Sequence, residues 1–100
     1  MSAAFEFEAP LYRWAARVDS WFFVALPEDV ADAIDELSPV KGGFGSVPVS
    51  VAIGGSEWET SVFPDDGRGT FVLPVKKAVR TRAKVGEGDV VQVWLRVREV

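Results

Sequence analysis

The segment that most constrains the fold lies near the C-terminal end of the chain. A short apolar run, Thr70 to Leu73, is followed by Pro74, a basic stretch from Val75 to Lys84, a Gly-Asp turn and an alternating run that ends at Val97. Proline suits the first position of a helix, and alternation with a period of two is typical of a half-buried strand. The segment therefore predicts a strand, a helix over residues 74–82, a turn and a second strand.

Four further runs have the character of β-strands. Apolar and polar side chains alternate at residues 5–11, 47–53 and 57–63, which indicates strands with one buried face. Residues 21–26 are apolar on both faces, which indicates a central strand or one that a helix covers. Six strands separated by turn residues favour a small closed or partly open β-barrel, because closure removes exposed strand edges.

A second helix is expected over residues 27–37. Pro27 suits its first position, and Val30, Ile34 and Leu37 recur on one helical face. We therefore predict one mainly-β domain, residues 1–100, with about six strands and two short α-helices.

The composition excludes several kinds of chemistry. The 100 residues include no cysteine and no histidine. Thiolate nucleophiles, disulfides, zinc fingers and Ser-His-Asp triads are therefore excluded. No apolar run approaches the ~20 residues of a membrane-spanning helix, and the N-terminus lacks the pattern of a signal peptide. We expect a cytoplasmic protein without membrane attachment, cofactor or metal site.

Charge is concentrated in two short segments, although the net charge is −4. Residues 28–36 form an acidic segment and residues 76–84 form a basic one. The basic residues either bind phosphate groups, or form a solvated helix face, or pair with the acidic segment. The acidic residues are Glu28, Asp29, Asp32, Asp35 and Glu36, and the basic ones are Lys76, Lys77, Arg80, Arg82 and Lys84.

Ordered motifs along nearly the whole chain resemble a bacterial and archaeal family of domains of unknown function. This resemblance implies a small β-barrel with short helices, often fused to a bacteriocin-protection (OmpD-associated) type domain. No activity is established for the family, so the resemblance assigns no catalytic residue. The motifs are Phe5-x-Phe7-x-Ala9-x-Leu11, residues 21–27, residues 44–49, Ile53-Gly54-Gly55, residues 58–64, Gly69-Thr70, residues 73–80 and Gly88-Asp89-Val90-Val91.

Residues 73–97 also resemble one half of an AbrB-type swapped hairpin. In both, a strand ending in Leu-Pro leads into a basic helix, and a Gly-Asp turn precedes the next strand. That resemblance implies a dimeric DNA-binding regulator, although strand–helix–strand segments also recur without shared function.

Three other groups of residues are candidates for a site. Arg68, at a loop tip, could hold an anion. Trp94 shares one face of the last strand with Arg96 and Arg98, where it is either exposed and able to bind a partner or ligand, or covered by the second helix. The other tryptophans are expected in the core. The third group is a set of carboxylates suited to a solvent face or to acid–base chemistry: Glu57, Glu59, Asp65 and Asp66.

The function that these features favour is that of a non-enzymatic binding or accessory domain for an unidentified small molecule or protein. The alternative is an AbrB-like dimeric DNA-binding regulator that uses the basic helix 74–84, although the net charge of −4 does not favour nucleic acid. An enzyme that uses the surface carboxylates is third. We expect a monomer or a homodimer.

Overall fold

The computed structural model describes residues 4–15, 20–38 and 45–98. Within these residues six antiparallel strands close into a barrel in the order β1-β2-β5-β4-β3-β6, and two helices accompany them. The predicted mainly-β barrel is thus confirmed. The elements are β1 (Ala4–Ala15), β2 (Ser20–Ala25), α1 (Glu28–Leu37), β3 (Val47–Ile53), β4 (Ser56–Asp65), β5 (Thr70–Pro74), α2 (Lys77–Ala83) and β6 (Val90–Val97).

The long first strand closes the barrel because it has two neighbours in succession. Its first part, residues 4–10, pairs with β6, and its second part, residues 11–15, pairs with β2. The β3–β4 hairpin joins the two sides, since β3 pairs with β6 and β4 pairs with β5. All six strands therefore have a neighbour on each side within one chain.

The core consists mainly of aliphatic side chains from the inward faces of the strands, together with Phe71 and buried residues of the two helices. The alternation predicted for β3 appears as strict burial of every second residue, Val47 to Ile53. Leu11, Val24, Leu73 and Leu95 are almost completely buried. Small barrels of this kind are filled by side chains and leave no channel.

The two helices lie at opposite ends of the barrel. Helix α1 follows the end of β2, close to the start of β5, where the Leu26 amide donates to the Phe71 carbonyl at 3.0 Å. Helix α2 follows the other end of β5. Ile34 and Val79 anchor the two helices in the core. The acidic and basic segments therefore do not face each other within one chain.

Both helices begin later than predicted. Pro27 is the N-cap of α1 and Lys76 is the N-cap of α2. Pro74 instead lies in β5 opposite Phe23, and the next residue continues the ladder, because the Val75 amide donates to the Phe22 carbonyl at 2.8 Å. Pairing with β2 thus keeps this segment extended. Neither helix in the described part of the chain is long and apolar enough to cross a bilayer.

The segment that resembles a swapped-hairpin half forms the expected strand, helix and strand. However, β5 pairs with β2 and β4, whereas β6 pairs with β1 and β3. The two strands therefore do not pair with each other, and both neighbours of each strand belong to the same chain.

The β3–β4 turn gives a direct test of the packing of α2. Gly54 and Gly55 both have positive φ, as a tight two-residue hairpin requires. A Cβ added at Gly54 would lie 2.6 Å from the Cβ of Ala83 in α2, whereas one added at Gly69, φ +68°, would meet nothing within 4 Å.

We predict that Gly69→Ala lowers the free energy of unfolding by about 1–2 kcal/mol, through backbone strain alone. Gly54→Ala should lower it by a further ~1–3 kcal/mol, because the new methyl group also displaces α2. Urea unfolding of both variants measures the difference. Equal losses would contradict the close contact between the turn and the helix.

Candidate functional site

A row of aromatic rings lies on the outer surface of strands β1, β2 and β4. Tyr12 is opposite Phe23 and Trp14 is opposite Trp21 in the β1–β2 register. Residues opposite each other share a face of the sheet, so the four rings stand together outside the barrel. Phe63 of β4 lines the same depression of about 590 Å³, which we call the aromatic groove. Its other lining residues are Arg13, Pro64, Asp65, Asp66, Arg68, Val72 and Pro74.

Two tryptophans of this groove are more exposed than the sequence indicated. The side chains of Trp14 and Trp21 are 56% and 55% exposed, so the expectation that they fill the core is wrong. The inward positions of β1 and β2 are held by smaller residues such as Leu11 and Val24. A signal was present, because residues 21–26 are apolar on both faces. The outer face carries the groove and no helix covers it in the described residues.

Contacts among the side chains hold the groove in shape. The ring centroids of Tyr12 and Phe23 are 5.9 Å apart, and those of Trp21 and Phe23 are 6.3 Å apart with planes only 13° from parallel. The Arg68 guanidinium lies 3.7 Å from the centroid of the Tyr12 ring, which is a favourable cation–π distance. The Arg68 amide donates to Asp65 Oδ1 at 3.3 Å. The sequence candidate Arg68 is therefore part of the groove wall.

The Tyr12 phenol reports on this environment. Burial raises the pKa of Tyr12 above its ordinary value of 10.0; the nearby Arg68 charge opposes the rise and the Asp65 carboxylate adds to it. A raised pKa means that the fold favours the neutral phenol. The stability this provides is complete below the ordinary pKa and is lost as the pH rises through the folded-state value.

A second depression, of about 500 Å³, lies next to the aromatic groove at the α2 end of the barrel, and we call it the basic groove. Arg80 is fixed in it, because its guanidinium lies 3.8 Å from the Phe22 ring centroid and its Nε donates to the Val75 carbonyl at 3.2 Å. The Lys76 ammonium is 6.0 Å from the Trp58 ring centroid. The lining residues are Trp21, Phe22, Trp58, Glu59, Thr60, Pro74, Val75, Lys76, Lys77 and Arg80.

The remaining candidates lie elsewhere. Arg82 lines a separate depression with Lys76, and Lys84, φ 58°, is the C-cap of α2. Trp94 is half-buried on β6, between β1 and β3, opposite Glu6 in the register and 5.8 Å from the Arg96 guanidinium. The structure therefore brings Lys76, Lys77 and Arg80 together in the basic groove, with Arg68 in the adjoining aromatic groove, and places Trp94 on another side of the barrel.

The surface carboxylates do not converge on one point. Glu57 and Glu59 are exposed on β4, and Glu59 forms an ion pair of 3.3 Å with Arg98. Asp65 is engaged by the Arg68 loop, with 3.9 Å between the charged atoms. Across residues 4–15, 20–38 and 45–98, no three acidic side chains are grouped so as to hold a metal ion.

Titration of the single tyrosine tests the wall of the aromatic groove. We predict that Arg68→Gln raises the pKa of Tyr12 further, because the cation that favours the phenolate is removed. Asp65→Asn should lower the pKa, because an anion that opposes ionisation is removed. The ultraviolet absorbance of tyrosinate follows each titration without interference from other tyrosines. Unchanged titration in both variants would contradict the contact of this loop with Tyr12.

Comparison with known proteins agrees with the fold. No curated protein matches the chain. One family model, described as a domain of unknown function (DUF1905), matches residues 7–95, which include almost all of the barrel and both grooves. The predicted membership of a family of domains of unknown function is therefore confirmed. The chain belongs to the DUF1905 family of domains of unknown function.

Proposed function

We propose that this domain is a non-enzymatic binding module and that the aromatic groove holds its ligand. The observation that carries the proposal is the exposure of Trp14 and Trp21, each more than half accessible and both on one face. Large contiguous apolar patches are uncommon on soluble monomers and mark interaction sites where they occur.

The size and rigidity of the groove support the same function. Its volume of about 590 Å³ falls within the ~300–1,000 Å³ that is usual for ligand pockets. The Tyr12–Phe23 and Trp21–Phe23 contacts, together with Arg68 over Tyr12, fix the rings before a ligand arrives. A site that is already ordered loses less conformational entropy on binding.

A duplex-binding regulator has weaker support. Arg80 is committed to the Phe22 ring and the Val75 carbonyl, and α2 has only seven residues. An enzyme acting through the surface carboxylates also has weaker support, because Glu59 and Asp65 each pair with an arginine and lie in different places.

Binding of the dye anilinonaphthalene sulfonate (ANS) to the native protein tests the proposal. We expect ANS to shift the indole N–H resonances of Trp14 and Trp21 in nuclear magnetic resonance spectra. Trp21→Ala should weaken ANS binding about tenfold or more, since truncating a central aromatic residue costs ~2 kcal/mol.

Trp94→Ala is the matched control, because it removes an indole from another side of the barrel. It should leave the ANS affinity unchanged, while circular dichroism confirms that both variants fold. ANS binding that survives both Trp14→Ala and Trp21→Ala, or that shifts Trp94 instead, would contradict the assignment of the site.

A further inference from the structure

We propose that the aromatic and basic grooves form one continuous track that binds single-stranded nucleic acid. This inference rests on the proposed binding function and names its ligand class. Each nucleotide offers a planar base and an anionic phosphate, so a protein that binds a single strand needs rings for stacking and cations beside them. The aromatic groove supplies the rings, and the basic groove supplies the cations.

The two grooves adjoin at β2 and β5. Trp21 and Pro74 line both depressions, so a ligand that extends past these two residues reaches both grooves. The aromatic groove crosses four neighbouring strands, β1, β2, β5 and β4, which at ~4.8 Å per strand is a width of about 14 Å. Such a surface is longer than one base and suits an extended ligand.

Charge complementarity identifies the ligand as anionic. The residues that line the two grooves include five basic and three acidic side chains, a formal charge of +2, although the whole chain carries −4. The acidic segment is on α1, at the far end of the barrel. The positive excess lies in the basic groove, next to the aromatic groove, whose own two basic and two acidic side chains balance.

Rings and cations alternate along the track. Trp58 lies beside Lys76, with 6.0 Å between the ammonium and the ring centroid, and Arg80 lies against Phe22. Trp21 follows at the junction, and at the other end Arg68 covers Tyr12. The exposed rings of Trp14 and Trp21 are the ones available for stacking, which tolerates any base because every base has a π-face. A duplex keeps its bases stacked inside, so it cannot use these rings.

The direct test is fluorescence anisotropy of a labelled oligothymidylate of about 10 nucleotides, within the ~4–16 that a single OB-fold domain covers. We expect binding at low salt that weakens roughly 15- to 60-fold between about 50 and about 200 mM NaCl, as neutralisation of three or four phosphates requires. A duplex of the same length should bind more weakly at every salt concentration.

Two matched pairs of variants separate stacking from charge. Trp21→Ala should weaken oligonucleotide binding roughly 5- to 100-fold, the usual effect of losing one stacked base, whereas Trp94→Ala should not. Lys77→Gln should reduce the slope of log affinity against log salt by about 0.7, whereas Arg96→Gln removes one positive charge outside the track and should leave the slope unchanged.

Four results would overturn the inference. The first is an absence of oligonucleotide binding at about 50 mM NaCl, and the second is tighter binding of the duplex. The third is an oligonucleotide affinity that Trp21→Ala does not change. The fourth is thymidine monophosphate that binds as tightly as the oligomer, which would indicate a mononucleotide pocket. Measuring ANS binding and oligonucleotide binding side by side distinguishes the two proposals. If the protein binds ANS but no oligonucleotide, only the single-strand assignment is overturned. If it binds neither, the binding site itself is overturned.

Discussion

The whole arrangement depends on β1 having two neighbours in succession. Residues 4–10 pair with β6 and residues 11–15 pair with β2, so one strand joins the two ends of the sheet. Closure satisfies every strand edge within one chain, and it also fixes a narrow interior. The register that closure sets places the facing pairs Tyr12–Phe23 and Trp14–Trp21 on the outside of β1 and β2. The groove is thus a consequence of how the barrel closes.

Much of the fold follows from local patterns. The alternation at residues 47–53 predicts which side chains of β3 are buried, and Gly54-Gly55 predicts its hairpin. The start of α2 does not follow from such patterns. Pro74 suits a helix locally, but it pairs with Phe23 of β2, 51 residues earlier in the chain, and this pairing keeps the segment extended. The competing interaction is tertiary and is not visible in a short window of sequence.

The candidate site was only partly predictable for the same reason. A cluster of basic residues is visible in the sequence, and Lys76, Lys77 and Arg80 do share a groove. The aromatic part depends on register, because only the pairing of Trp14 with Trp21 and of Tyr12 with Phe23 shows that these rings share a face. In a strand that is apolar on both sides, periodicity cannot tell the inner face from the outer one. Arg68, which contacts Tyr12, comes from a loop 56 residues later in the sequence.

The positions of the two helices separate negative from positive charge along the barrel. An acidic helix at one end of the barrel and a basic helix at the other make the chain a permanent dipole along the barrel axis, independent of its net charge. A dipole experiences a torque in the field of a charged surface, so the molecule turns before it makes contact. Close to a polyanion, the end that carries α2 and the adjoining groove faces forward, and the acidic end faces away. The sign and size of the net charge determine whether and how strongly the molecule is repelled from a distance, whereas this separation of charge determines which end of the barrel arrives first.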